Sequence, residues 1–439
     1  MLVQVRERVL FALLVSGSMI FASCSTEPSA SPTPGASEVA GATATPGVES
    51  AAPGSTSTPA PEATPTTTMS PWPVSTIFTS WTRSDLPERI SDINGANQPD
   101  DMTWFADRYV AVGGITGGCC AIGSSTDTQT LVWRSRDGVA WNLVPDSESF
   151  DMGYMRAVAA NETRVVAVGV HVLDSAGTGE AARVGATWSS TDGRSWRMVW
   201  GSVPLFVDVV ATDDGFLAAT ESGDRPAPAI WHTTDGLEWT RVAAPGELGD
   251  GVINRLIRTP DGFLAVGTSV NTLADPDSTS VPRAAVWSSV DGLAWARVAD
   301  QPAFEDGTIS DVAVRDGRYV AVGHGAVYAG GEIWLSDDAQ TWQRLDDPAF
   351  QAEGIQTARV FALPAGFIVG GVERVGDTWE FLAWTTTDGS SWAVIPDQAA
   401  FDGTNVTVTD LLEIDGGGAL AVGSYVGADG STPASWSIR

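Results

Sequence analysis

WSSTDGRSW, residues 188–196, sets a small polar turn between two indoles. The same spacing returns as WRSRDGVAW from Trp133, WHTTDGLEW from Trp231, WSSVDGLAW from Trp287, WLSDDAQTW from Trp334 and WTTTDGSSW from Trp384. An aspartate at the turn's centre can accept N–H bonds from its own backbone, and the glycine after it supplies a positive φ. One copy carries Ala339 in place of that glycine. Each tryptophan has roughly 150–250 Å² to bury, so a repeated pair of them reads as core and not as a row of ligand platforms.

A second element recurs between the turns: RYVAVGG at Arg108, RVVAVGV at Arg164, GFLAATE at Gly215, GFLAVGT at Gly262, RYVAVGH at Arg318, GFIVGGV at Gly366 and GALAVGS at Gly418. Each is a short apolar run ending in small residues, the pattern of a buried strand. Seven such runs, with leading tryptophans stepping by 43 to 56 residues and a last one at Trp436, give the period of propeller blades. A blade reads as four antiparallel strands; in the fifth unit these are TISDVAV from Thr308, RYVAVG, GEIWLS from Gly331 and TWQRL from Thr341. The seventh unit stops at Arg439, short of its outer strand. SWTRSDLP from Ser80 matches EWTRVAAP from Glu238 at Trp, Thr, Arg and Pro, so the first folded strand is expected to complete the last blade. The expectation is an all-β, seven-bladed β-propeller over residues 77–439, its ring closed by its own termini.

These turns resemble the Asp-box, or bacterial neuraminidase repeat, whose pattern is Ser, any, Asp, any, Gly, any, Thr, Trp. Here Asp and Gly are adjacent, as in Ser190-Thr191-Asp192-Gly193-Arg194-Ser195-Trp196, one residue shorter than that pattern. The resemblance spans roughly residues 78–439. It implies a propeller but no one activity, since proteins of this kind include sialidases, other glycosidases, assembly factors and sorting receptors.

Against 24 basic residues, all of them arginine, stand 54 acidic ones, a formal charge of −30 that repels phosphate backbones and excludes nucleic acid as a partner. Arg6 and Arg8 precede an apolar run from Val9 to Phe21, an export signal over residues 1–23 that is too short for a good spanning helix. Phe21-Ala22-Ser23-Cys24 resembles the lipobox of bacterial lipoproteins, which implies lipidation of Cys24 and a place on the bacterial cell membrane facing the extracytoplasmic side. Residues 24–76 are Ser, Thr, Pro, Ala and Gly with few large apolar groups, a composition that cannot repay its ordering entropy and reads as a disordered tether.

The tryptophan turns occupy one end of the expected ring, so ligand is expected at the other, where loops vary in length around a constant scaffold. Phe150, Phe304, Phe350 and Phe401 lie in blade-to-blade links there and read as wedges. Aligning inner strands on the apolar runs gives one equivalent position per blade: Asp101, Ala157, Asp208, Arg255, Asp311, Arg359 and Leu411, with Arg156, Asn254 and Asp410 beside them. A ring of carboxylates and guanidiniums at a channel mouth is a candidate site; its plainer reading is a set of inter-blade ion pairs. Trp200 and Trp379, assigned to open-face loops, read as stacking platforms or covers for a blade edge, and His324 flanks a short loop. Cys119 and Cys120 are adjacent and read as a vicinal disulfide or as two thiols. His171, His232 and His324 fall in separate units, so no metal site and no cofactor are expected.

The resulting functional reading is a monomeric binding or assembly scaffold for an extracellular glycan, peptide or protein. The competing reading is a sialidase-like glycoside hydrolase using carboxylates from Asp101, Asp208 and Asp311. Sialidases need an arginine triad and a tyrosine nucleophile, and none of the five tyrosines is expected at the ring.

Overall fold

A computed structural model describes the chain from residue 81 onward apart from short stretches, of which 118–127, 174–181, 221–227 and 270–281 are the longest. The expected signal and tether of residues 1–76, with Cys24, and the pair Cys119 and Cys120 lie outside the described residues.

Seven four-stranded antiparallel sheets follow one another along the chain, a seven-bladed β-propeller. β1 (Thr82–Asp85) comes first. Blade 1 is β2 (Gly95–Trp104), β3 (Tyr109–Gly117), β4 (Gln129–Ser135) and β5 (Trp141–Leu143); blade 2 is β6 (Gly153–Ala160), β7 (Val165–Leu173), β8 (Ala182–Ser190) and β9 (Arg197–Val203). Blade 3 is β10 (Phe206–Ala211), β11 (Phe216–Thr220), β12 (Ile230–Thr233) and β13 (Thr240–Ala243); blade 4 is β14 (Val252–Thr259), β15 (Gly262–Thr268), β16 (Ala284–Ser289) and β17 (Ala296–Arg297). Blade 5 is β18 (Gly307–Arg315), β19 (Arg318–Gly325), β20 (Gly331–Ser336) and β21 (Gln343–Leu345); blade 6 is β22 (Ile355–Leu363), β23 (Gly366–Val375), β24 (Thr378–Thr386) and β25 (Ala393–Val394). Blade 7 takes β26 (Thr404–Ile414), β27 (Gly418–Gly427) and β28 (Gly430–Ile438), and its fourth strand is β1.

That closure follows the expected register, with Arg83 opposite Trp436 and Thr82 opposite Ser437. Trp81 meets Phe401 edge-on at 5.5 Å, and Phe401 stacks on Trp436 at 5.2 Å, so the latch is sealed by three aromatic rings.

Apolar side chains gather between blades. One cluster joins Val110, Val112 and Val132 of blade 1 to Val158, Val165 and Trp188 of blade 2, and six more fill the remaining seams round the ring. Trp133, Trp188, Trp287, Trp334, Trp384 and Trp436 are fully buried and Trp231 is half-buried, and in five blades the indole N–H donates to a carbonyl of the link entering that blade: Trp133 to Pro87, Trp188 to Ser149, Trp287 to Leu248, Trp334 to Ala303 and Trp436 to Ala400, at 2.6–2.8 Å. The expected wedges Phe150, Phe304, Phe350 and Phe401 are all buried, and Leu248 fills the same role before blade 4.

The polar turns close on themselves as their chemistry predicts. In the turn of blade 2 the Arg194 and Ser195 N–H groups both donate to Asp192 Oδ1 at 2.7 Å, and Gly193 N–H donates to Ser190 Oγ at 2.9 Å. Asp137, Asp291 and Asp338 are held below the usual carboxylate range chiefly by such N–H bonds. In Asp192, Asp235 and Asp388 partial burial pushes upward, but the same bonds together outweigh it. The turn also touches its neighbour: a Cβ on Gly236, at φ 75°, would stand 2.4 Å from Val166 of the preceding blade. Ala339 takes the same left-handed conformation at φ 57°. Each turn therefore serves as a clamp between blades.

Candidate functional site

Every inner strand slips register against its neighbour immediately before the ring position: between Pro99 and Asp101, Met155 and Ala157, Phe206 and Asp208, Ile253 and Arg255, Ile309 and Asp311, Thr357 and Arg359, and Val408 and Asp410, with β26 slipping a second time between Thr404 and Thr407. A bulge of this kind turns one extra side chain out of the ladder. The seven extra residues are Asp100, Arg156, Val207, Asn254, Ser310, Ala358 and Thr409, and all are partly exposed. On the innermost strands, they form the side-chain rim that meets solvent at the centre.

This register corrects one expectation: the ring residue of blade 7 is Asp410, opposite Val422, and Leu411 is a core residue in the seam with blade 6. Three residues separate the paired Ile414 and Gly418 in blade 7, where two separate Arg315 and Arg318 in blade 5. Counting back from the apolar run therefore lands one residue late.

Blades 1, 3, 5 and 7 place a buried carboxylate in the ring, and these groups stitch blades together. Asp101 accepts N–H bonds from Met102 in its own strand at 3.0 Å and from Val158 of blade 2 at 2.7 Å. Asp208 does the same with Val209 and Leu256 of blade 4, at 2.9 and 2.6 Å, and Asp311 with Val312 and Val360 of blade 6, both at 2.9 Å. Asp410 reaches Met102 N–H of blade 1 at 3.0 Å. Arg255 lies between Asp208 and Asp311, at 3.5 and 3.4 Å. Burial alone would lower its pKa, but the two carboxylates outweigh that and raise it. Burial pushes Asp208 up to about 6 against the pull of Arg255. Burial and the facing Asp101 carboxylate, to which it is hydrogen-bonded, hold Asp410 well above the usual range.

At the rim, Asp100 is hydrogen-bonded to the Tyr154 phenol of blade 2, with Arg156 of blade 2 and Arg359 of blade 6 in electrostatic reach. Burial drives Asp100 up to about 7, and burial together with Asp100 holds Tyr154 well above its ordinary value. The sequence placed no tyrosine here. Tyr154 stands two residues before the bulge of its own strand, and only the lateral packing of blade 2 on blade 1 brings it to Asp100.

No family model matches the chain, and no curated protein matches it. Solved structures with a similar chain path include YCF48 bound to D1 peptide, with 16% identity over 80% of this chain and 94% of that one, at a TM-score of 0.49. Another is the Trypanosoma rangeli sialidase in complex with sialic acid, with 10% identity over 82% of this chain at a TM-score of 0.41. This chain spans 59% of that sialidase's length. The likenesses are of chain path, and no function is carried over from them.

The remaining candidates lie away from the ring. Trp200 and Trp379 were assigned to loops, yet both are in strands: Trp200 in β9 opposite Ala186, and Trp379 in β24 opposite Arg374. His324 is the next-to-last residue of β19, its Nδ1 3.1 Å from the Gly325 carbonyl oxygen, and burial keeps it below the ordinary imidazole range. Among the described residues, no group of three or more His, Cys, Asp or Glu side chains is arranged to hold a metal ion.

Proposed function

We propose that the chain is a lipid-anchored bacterial surface scaffold whose turns are of the Asp-box kind and whose open face binds an extracellular glycan, peptide or protein without turning it over. The signal of residues 1–23, lipidation at Cys24 and the tether of residues 24–76 belong to this reading.

One observation favours binding over hydrolysis. Glycoside hydrolysis needs two carboxyl groups open to a sugar, about 5–5.5 Å or about 6.5–9.5 Å apart according to mechanism. Asp101, Asp208 and Asp311 instead have both oxygens engaged by main-chain N–H groups, and two of them also face Arg255. The Tyr154 phenol is held in its protonated form, the wrong state for a nucleophile. What the rim and the ring offer a ligand is the partly exposed polar set of Arg156, Asn254, Ser310 and Arg359.

The test is the full chain assayed on a glycan array beside a panel of fluorogenic glycosides. The expected result is binding without turnover, weakened about tenfold in Arg359→Ala by loss of a charged hydrogen-bond donor. Turnover that disappears in an Asp311→Asn protein still showing a cooperative melt would establish the hydrolase reading in its place.

A further inference from the structure

On the face that carries the tryptophan turns, three seams are built alike. Between blades 1 and 2, 2 and 3, and 5 and 6, the turn glycine of the later blade is Gly193, Gly236 or Gly389. A Cβ there would stand 3.2–3.4 Å from the residue that follows the leading tryptophan of the earlier blade: Arg134, Ser189 or Leu335. An arginine leads into the second strand of that earlier blade each time: Arg108, Arg164 or Arg318. In two of the seams it has a partner. Arg164 Nη1 donates to Ser189 Oγ at 2.9 Å, and Arg318 Nε lies 2.9 Å from the Asp337 carboxylate.

The seam of blades 1 and 2 is different. Arg134 takes the place of Ser189 and Leu335, Arg136 takes the place of Asp337, and Arg194 stands where the other two turns have Leu237 and Ser390. Arg134 is 8% exposed, and its Nε is sealed from solvent without a hydrogen-bond partner. Among the described residues, no ion pair involves Arg108, Arg134 or Arg194. Burial first, and then Arg108 and Arg194, lower the pKa of Arg134, against the pull of Asp192. Asp192 has little to give: Oδ1 accepts the two N–H groups of its own turn, and Oδ2 accepts the Ser195 hydroxyl at 3.1 Å. Three guanidiniums facing one aspartate leave two positive charges in excess. Packing does not require this arrangement, because Leu335 fills the equivalent place in blade 5 and is equally buried.

We propose that this seam is a binding site for one small dianion, a phosphate or sulfate group, either free or as a terminal monoester. A buried unpaired charge is strongly destabilising, and an anion seated here would relieve it. Guanidinium forks match the oxygens of such a group, and its two negative charges equal the local excess. A carboxylate would leave one charge over. The chain's −30 repels an extended polyanion, so the occupant is a single group and not a polymer. Arg194 is exposed and Arg108 half-buried, so both can be reached from solvent. The site lies on the turn face, and the inference holds or fails whatever the open face binds.

The probe is inorganic phosphate titrated into the full chain by calorimetry at constant ionic strength and about pH 8, where the ion is chiefly divalent. Saturable binding of one phosphate per chain is expected. Arg108→Ala and Arg194→Ala should each weaken it at least about tenfold. Arg297→Ala, which removes a surface arginine paired with Asp300 in blade 4, should leave it unchanged. Arg134→Leu should abolish binding. In phosphate-free chloride buffer the same variant should melt above the wild-type chain, since it replaces an unpaired buried charge by the side chain that blade 5 uses. Phenyl phosphate that binds as well as phosphate identifies a terminal monoester as the natural form; phosphate binding without it identifies the free ion. Absence of saturable heat, acetate binding as tight as phosphate, or unchanged affinity in Arg134→Leu would overturn the proposal. A lower melting temperature for Arg134→Leu in chloride would do so too, by making Arg134 a packing residue.

Discussion

Asp311 shows how much one side chain can hold in this molecule. Its oxygens join the main chains of blades 5 and 6, and it is one of two partners of Arg255. Asparagine keeps the shape but exchanges an acceptor for a donor, which then faces an N–H group, and it leaves Arg255 with half its compensation. Removing one member of a buried charged network costs about 3–5 kcal/mol. Asp311→Asn should therefore lower the unfolding free energy by about 2–4 kcal/mol in urea titrations. A loss below about 0.5 kcal/mol, the range of ordinary surface substitutions, would refute the stitching role. The ring was legible in sequence as a recurring position because in six of the seven blades it stands seven residues before the first residue of the motif carrying the apolar run. The bulge before it was not. A bulge is a property of strand register, and nothing in the letters of Asp100, Arg156 or Thr409 marks them as the bulged residues.

Among elements, β1 is the shortest path to breaking the ring. It supplies only four residues to β28, yet it places Trp81 against Phe401 and thereby covers the seam of blades 6 and 7. Trp81→Ala should cost about 3–5 kcal/mol as a buried large-to-small change. Trp200→Ala, on an exposed strand, should cost less than about 1 kcal/mol. Thermal melts of the two variants side by side check the contrast, and equal losses would mean that the latch carries no special share of stability. The latch was legible because the outer strand of blade 3 shares Trp, Thr, Arg and Pro, in the same spacing, with the chain's first folded segment. Trp200 reads from sequence as a loop residue, yet it stands in β9. The extension of β9 has no repeated counterpart from which to read it.

At the scale of the whole molecule, seven is an odd number, and that decides where charge collects. Carboxylates alternate with Ala157, Arg255 and Arg359 from blade 1 to blade 6, but alternation cannot close over seven blades. Asp410 and Asp101 consequently meet at the last seam and compete for the same Met102 N–H. Asp410, together with Asp208 at about 6 and Asp100 at about 7, has a folded pKa raised above its ordinary 3.8. Such groups bind protons more tightly folded than unfolded. The stability they contribute is complete below pH 3.8 and is lost as pH climbs through 6 and 7. The turn aspartates have lowered pKa values and act in the opposite sense, withdrawing stability as pH falls below 3.8. The two families together place the stability maximum near pH 4, with a decline that runs from there through pH 6 and 7. Asp410→Asn replaces the protonated carboxyl by a permanently neutral group that can still donate to Asp101, so the decline between pH 5 and 8 should become shallower in that variant. Urea midpoints measured at unit pH steps read both slopes. A wild-type midpoint that rises from pH 5 to 8, or an unchanged slope in Asp410→Asn, would show that the last seam does not carry the mismatch imposed by an odd number of blades.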